Sequence, residues 1–125
     1  MSAITTQNDQ VREGNPDRII RLVMPQGVEI TGDIAQHHAD KASAIANGTL
    51  RPVLLEISGV SAITREARAV FTASRSSSAI AVLGKSPVDR VIANFLLGGG
   101  PPPCPTRFFT TESEAMAWLG SSPDA

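Results

Sequence analysis

Two runs of almost unbroken apolar residues constrain the fold of this chain more than any other feature. They are RPVLLEI, at residues 51–57, and SAIAVLG, at residues 78–84. Runs of this length without polar alternation are typical of strands that are covered by other elements on both faces of a sheet. A helical pattern follows each run, at residues 64–74 and 86–97. This order predicts an α/β domain in which the strands are largely parallel.

The segments on either side extend the pattern. Residues 18–24 and 28–31 are apolar runs separated by Pro-Gln-Gly, which predicts an antiparallel hairpin at the start of the domain. Residues 32–48 have helical spacing and end on an Asn-Gly pair. Residues 106–110 predict a short last strand, and residues 111–120 a closing helix. The expected order is therefore β-β-α-β-α-β-α-β-α, with a leading hairpin and four helices.

Local signals mark where several of these helices begin and end. The pair Ser86-Pro87 is a strong start, because serine caps a helix and proline fits its first position. Residues 111–114, Thr-Glu-Ser-Glu, have the spacing of a capping box, whereas Thr64 lacks the acidic or amide residue three positions later. Gly98 or one of its neighbouring glycines is expected to end the third helix in a left-handed conformation.

Composition excludes several classes of protein. The 125 residues carry a net charge of −1, which supplies no electrostatic footprint for nucleic acid or an anionic membrane. A single cysteine rules out an internal disulfide and fits the reducing cytosol. The polar amino terminus has no signal-peptide core, and no apolar run approaches the roughly 20 residues that span a bilayer. We expect a cytoplasmic domain at residues 18–121 between flexible tails at residues 1–17 and 122–125.

The stretch LLGGGPPPC, at residues 96–104, has the glycines of a phosphate loop and the only cysteine of the chain. Its glycines follow a helix and precede prolines, which have no N–H to offer a phosphate. The sequence places no base beside Cys104, because His37 and His38 lie on the first helix. These two histidines point about 100° apart and no other residues complete a metal set. We expect no catalytic residue, no metal and no cofactor, and therefore a protein that is not an enzyme.

Three segments resemble one known family. They are PVLLEISGVSAITREARAVF (residues 52–71), SPVDRVIANFLL (residues 86–97) and PTRFFTTESEAMAWL (residues 105–119). Together with the order of elements, they resemble the STAS domain, the fold of bacterial anti-sigma-factor antagonists of the SpoIIAA type. They are most similar to uncharacterised bacterial SpoIIAA-like proteins, over about residues 18–120. The resemblance implies a mixed sheet with four helices and a regulatory module, in homo-oligomers or alone, that binds another protein.

In the antagonists, a serine at the start of the second helix is phosphorylated by the partner kinase. Here residues 64–67 read Thr-Arg-Glu-Ala where that family has Asp-Ser-Ser-Gly, so Arg65 stands at the phosphoserine. An arginine cannot take an O-linked phosphate and places a fixed positive charge at the site. The resemblance therefore implies a module without the usual phosphoserine, with Thr64, Ser61 or the serines at 74–78 as the remaining acceptors.

Two hypotheses from different classes follow. The first is a protein-interaction module whose contact centres on the loop and helix at Ser58, Ser61, Thr64, Arg65, Glu66 and Arg68. The alternative is a carrier of a small apolar or anionic ligand, in which helix 88–97 lines a pocket and the ligand meets Arg90, Asn94 and Arg107. A cavity between that helix and the sheet would favour the carrier, whereas tight packing there would count against it.

Overall fold

The computed structural model describes residues 18–73, 77–98, 102 and 104–121, so both predicted tails lie outside the described residues. The described residues form six strands and four helices, which is the expected order with one additional short strand between the first buried run and the helix that follows it. In chain order the elements are β1 (Ile20–Val23), β2 (Glu29–Ile30), α1 (Gly32–Ala46), β3 (Arg51–Glu56), β4 (Ala62–Ile63), α2 (Arg65–Ala73), β5 (Ser77–Leu83), α3 (Pro87–Leu97), β6 (Thr106–Phe109) and α4 (Glu112–Ser121).

The main sheet has the strand order β1-β3-β5-β6, and each neighbouring pair is parallel. The two buried runs that the sequence singles out are the central strands β3 and β5. Because the strands follow one another across the sheet in chain order, right-handed crossovers place all three connecting helices on the same face. Accordingly α1, α2 and α3 share one hydrophobic core, and α4, which follows the last strand, covers the other face. The predicted α/β fold with four helices is confirmed.

The predicted leading hairpin is wrong. β1 pairs in parallel with β3, and the two-residue strand β2 pairs in parallel with β4, inside a segment expected to be a loop. The chain after β1 continues beside the chain after β3 instead of turning back. The backbone N–H of Met24 donates to the carbonyl of Glu56 at 2.9 Å, and that of Gly27 to the carbonyl of Gly59 at 2.7 Å. Gly27 has φ +75°, which glycine adopts without the strain of a Cβ.

The two cores explain why the helices sit where they do. On the larger core, α1 packs through the small residues at 35, 42 and 46, which are all alanines. On the other face, Ala115 and Leu119 of α4 pack against Leu54 and the alanines of β5. Edge strand β1 is tied to α4 by Arg21, whose guanidinium lies 2.7 Å from the carboxylate of Glu112.

The predicted starts of α2 and α3 are confirmed and one predicted end is not. The Ser86 hydroxyl accepts the backbone N–H of Asp89 at 3.1 Å. The Thr64 hydroxyl accepts that of Ala67 at 3.1 Å, so Thr64 caps α2 even without an acidic residue three positions later. Gly98 follows α3 with φ −87°, so it is not left-handed. The glycines after it lie outside the described residues.

Candidate functional site

The first turn of α2 is held rigidly by the small β2–β4 sheet. The backbone N–H of Thr64 donates to the carbonyl of Ile30 at 3.0 Å, which fixes the cap residue against β2. Arg65 and Glu66 follow in the first turn and are exposed, as is Ser61 before β4. Four of the predicted contact residues therefore lie together at a preformed helix start.

Ser58 differs from the other predicted contact residues. It is half-buried in the turn after β3, and its hydroxyl oxygen has no hydrogen-bond partner among the described residues. The next residue, Gly59, has φ +81°, and a Cβ there would lie 3.3 Å from the side chain of Gln26. The turn therefore lies against the loop after β1, and Ser58 offers less exposed surface to a partner than Ser61, Arg65 and Glu66 do.

Asp89, a residue that the sequence analysis did not single out, joins this turn to α3. Its side chain is only 3% exposed. The carboxylate accepts backbone N–H groups from Lys85 at 2.8 Å, Ser86 at 3.1 Å and Gly59 at 3.3 Å. Burial raises the pKa of Asp89, but these donors and the Ser86 side chain outweigh it and hold the pKa below its ordinary value. The sequence signal was present, because an acid three residues after a serine cap completes a capping box.

The charged side chains of α2 lie beside two different helices, α1 and α3. Arg68 reaches α3, where its guanidinium carbon lies 4.3 Å from the centre of the Phe95 ring and its Nη1 donates to the Phe95 carbonyl at 3.3 Å. Glu66 lies on the side of α1, where a Cβ built on Gly32 would be 3.1 Å from its own Cβ. Arg68 therefore faces α3, whereas Glu66 faces α1.

The outer side of α3 carries an apolar row. Val88, Val91 and Phe95 are 59%, 66% and 38% exposed, whereas Ile92 and Leu96 are buried against the sheet. The sequence pattern predicts one apolar helix, and the structure divides its apolar residues between core and surface. We call the surface formed by the row and the two arginines of α2 the α2–α3 face; it comprises Arg65, Arg68, Val88, Val91 and Phe95.

The residues of the carrier hypothesis are not brought together. Arg90 lies over the ring of Phe108, 4.8 Å from its centre, and Arg107 lies 5.4 Å from the centre of the Phe109 ring. Phe108 packs against the core of α1–α3 and Phe109 against that of α4, so the two arginines are on opposite faces of the sheet. Asn94 is exposed on α3.

An apolar cavity does lie between α3 and the sheet, but it is small. Its volume is about 40 Å³, and its lining is Leu55, Phe71, Thr72, Ile80, Val82, Leu96, Leu97, Pro102 and Thr106. A second cavity of about 30 Å³ lies towards α1, and both are lined by Leu55, Phe71 and Ile80. Sites for small organic ligands measure roughly 300 Å³ or more. In this conformation neither cavity has room for a metabolite, and none of Arg90, Asn94 and Arg107 lines either one.

The other candidate groups also stay apart. His37 is exposed and His38 half-buried, with their rings edge to face at 5.4 Å. Within the described ranges, no three histidine, cysteine or carboxylate side chains gather as a metal set. No helix of the described residues is both long enough and apolar enough to cross a membrane.

Comparison with known proteins places the chain in a family. The sequence pattern of a domain of unknown function, DUF7793, matches residues 14–122. A protein of unknown function from Arthrobacter sp. FB24, known from a crystal structure, is 41% identical; the match covers 86% of this chain and 96% of that one, with a TM-score of 0.35. No curated protein matches the chain.

A second solved structure shows the fold. It is an uncharacterised DUF3478 protein with a SpoIIAA-like fold from Shewanella loihica PV-4, 17% identical to this chain. The match covers 74% of this chain and 78% of that one, with a TM-score of 0.50. The parallel sheet and four helices described above agree with this likeness. The chain belongs to the DUF7793 family of domains of unknown function and has a SpoIIAA-like fold.

Proposed function

We propose that this protein is a cytoplasmic, non-enzymatic regulatory module that binds another protein through the start of α2. The observation that carries the proposal is the rigid presentation of Arg65. Its helix start is fixed by the Thr64 cap and the β2–β4 sheet, while its own side chain is exposed and, within the described residues, makes no ion pair. Because the helix start is already formed, a partner that engages Arg65 has to order its side chain but not the backbone that carries it.

Arg65 also explains how such a module would work without a phosphoserine. A phosphate at this position would place negative charge at the positive end of α2. Arg65 places positive charge there permanently, so the module would be constitutively competent for a partner with negative charge. The Thr64 hydroxyl is already engaged in capping and Thr64 is half-buried, which disfavours it as a replacement acceptor.

The carrier alternative receives less support from the geometry. The cavities beside Phe71 are about 40 and 30 Å³, and the three polar residues expected to meet a ligand lie elsewhere. Both volumes are well below the roughly 300 Å³ of a site for a small organic ligand. The exposed α2 start is the better candidate for function.

The proposal is tested by capture from the cytosol of the host organism, followed by native mass spectrometry. We expect a stoichiometric protein partner, and we expect Arg65→Glu to abolish its capture without changing the folded content. Lys41→Glu is the matched control, because Lys41 is exposed on α1 and its substitution makes the same change of charge away from the site. Unchanged capture by Arg65→Glu would contradict the proposal, and a bound small molecule in place of a protein would favour the carrier.

A further inference from the structure

We infer that the α2–α3 face binds an acidic amphipathic helix of the partner protein. The inference rests on the proposed function and adds the chemistry of the partner. It extends the contact from the start of α2 to α3, which neither the sequence analysis nor the family likeness assigns.

The apolar row on α3 indicates that the bound segment of the partner is an amphipathic helix. Val88, Val91 and Phe95 follow one another at i, i+3 and i+7, and all three are exposed. Over two helical turns the row spans about 10 Å. An amphipathic helix presents its own apolar row over the same length when it lies beside such a ridge. Burying three large apolar side chains supplies the favourable free energy that an exposed charge pair lacks.

The charges beside the apolar row indicate that the partner helix is negatively charged. Arg65 and Arg68 line one shallow groove on α2 and are separated by one turn, a rise of about 4.5 Å, and Arg68 reaches from there to Phe95 of α3. The neighbouring carboxylates are directed elsewhere: Glu66 lies beside Gly32 of α1, and Asp89 is buried and accepts three backbone N–H groups. Glu29 is on β2, which packs against α1, whereas α3 packs against β4.

The two arginines are suited to carboxylates of matching spacing. Arg68 is oriented by its stacking on Phe95 and donates one hydrogen bond to the Phe95 carbonyl, so most of its five N–H donors remain available. Guanidinium groups recognise carboxylates through paired N–H donors. The partner helix should therefore carry two acidic residues one turn apart, beside an apolar row of two turns.

A second copy of this chain does not have such a helix in its described residues. Apart from the α3 row, the large apolar side chains exposed there are Val23, Val28, Ile45 and Leu50. No helix carries more than one of them. The helices that do carry exposed carboxylates, α1, α2 and α4, therefore lack a matching apolar row. The occupant is a different protein.

The first test places a photo-crosslinking amino acid at Val91 of the full chain in the host organism, with the same substitution at Ala117 as control. Ala117 is exposed on α4, on the opposite face of the sheet. We expect Val91 alone to attach to a partner segment that has an apolar row and paired carboxylates. Attachment to a second copy, to lipid or to a segment without these features would overturn the inference. A protein segment without them, or no attachment to any protein, would overturn the inference and leave the proposed function standing, because that function places its contact at the start of α2 and is tested separately by Arg65→Glu.

The second test uses that segment as a synthetic peptide and compares Val91→Asp with Val91→Lys. Both substitutions remove the valine side chain, and they place charges of opposite sign at the same position. Because like charges across an interface repel, Val91→Asp should weaken binding about tenfold more than Val91→Lys. Equal weakening, or stronger weakening by lysine, would overturn the acidic character of the partner.

Discussion

The carboxylate of Asp89, in the first turn of α3, accepts the backbone N–H of Gly59, in the turn after β3, at 3.3 Å. The two residues belong to different strand–helix connections, so this hydrogen bond joins the carboxyl ends of β3 and β5. The other oxygen of Asp89 accepts the N–H groups of Lys85 and Ser86 and completes the cap of α3. Asp89 therefore fixes the position of the apolar row relative to the loop that leads into α2.

We predict that Asp89→Asn lowers the free energy of unfolding by about 2 to 3 kcal/mol. An asparagine has the same shape, but its amide nitrogen would face N–H donors where a carboxylate oxygen now accepts them. Urea denaturation measures the change. Glu66→Gln, the same kind of change at an exposed residue, should stay within about 0.5 kcal/mol of the original protein. A loss for Asp89→Asn no larger than that of the control would contradict the role assigned to Asp89.

The pH dependence of stability should also report the contribution of the Asp89 carboxylate. The folded-state pKa of Asp89 is lowered from its ordinary value of 3.8. A lowered carboxyl pKa contributes stability that is present above the unfolded value and is lost as the pH falls through the folded value. We therefore expect the original protein to lose stability below about pH 4, with a shallower loss in Asp89→Asn, when urea midpoints are compared across pH.

His38 should affect the stability of the protein in a different range of pH. Its pKa is lowered from 6.5, first by burial and then by the charges of His37 and Lys41. A histidine that resists protonation in the folded state makes the protein less stable as the pH falls below its unfolded pKa. We expect the fall in stability between about pH 7 and pH 5 to diminish in His38→Gln. His37→Gln, which removes only the smaller charge effect, should reduce it less; an equal reduction in both variants would contradict this assignment.

Gly84 should not tolerate a side chain. A Cβ at this buried position would lie 2.7 Å from the Cβ of Asp89 and 3.0 Å from the ring of Phe108. We expect Gly84→Ala to lower the free energy of unfolding by about 2 kcal/mol or more. Gly120, in α4, has no atom within 4 Å of a built Cβ. Gly120→Ala should instead stabilise the helix by up to about 1 kcal/mol, as alanine does relative to glycine. Equal effects of the two substitutions on thermal unfolding would contradict this reading of the packing.

Phe71 lines both apolar cavities, so its removal should join them. We expect Phe71→Ala to cost about 2 to 4 kcal/mol and to create a cavity that benzene or xenon fills. Either probe should raise the melting temperature of this variant and leave that of the original protein unchanged. Val70→Ala is the control, because Val70 packs against the same core without lining either cavity. A rise in the original protein would instead show that it accepts apolar ligands as it stands, which is what the carrier alternative requires.

The elements that sequence reasoning predicted well are those with a local physical signature. The unbroken apolar runs of β3 and β5 need helices on both sides, and the Ser86-Pro87 pair both caps α3 and fits its first turn. The hairpin prediction failed because a turn between two apolar runs does not say which strand each run pairs with. Parallel pairing of β1 with β3 is decided by contacts across 33 residues of chain, and no residue near the turn signals it.

The candidate site was predictable only in part. Residues 61–66 could be placed at the start of α2 because the strand–loop–helix pattern fixes where that helix begins. The outward direction of Val88, Val91 and Phe95 depends on which side of α3 meets the sheet, and an apolar residue in a helix pattern is ordinarily assigned to the core. Likewise the two contacts that Arg68 makes with Phe95 of α3 depend on the distance between the helices, which the sequence does not contain.

The order β1-β3-β5-β6 also bears on how the protein is made. β1 has no strand to pair with until β3 has been synthesised, so it must wait for roughly 2 to 7 seconds at ordinary rates of translation. After that, every strand of the main sheet joins the edge left by the one before it, in the order in which the ribosome delivers them. No pairing has to open to admit a later strand, and the sheet grows in one direction from the first strand to the last.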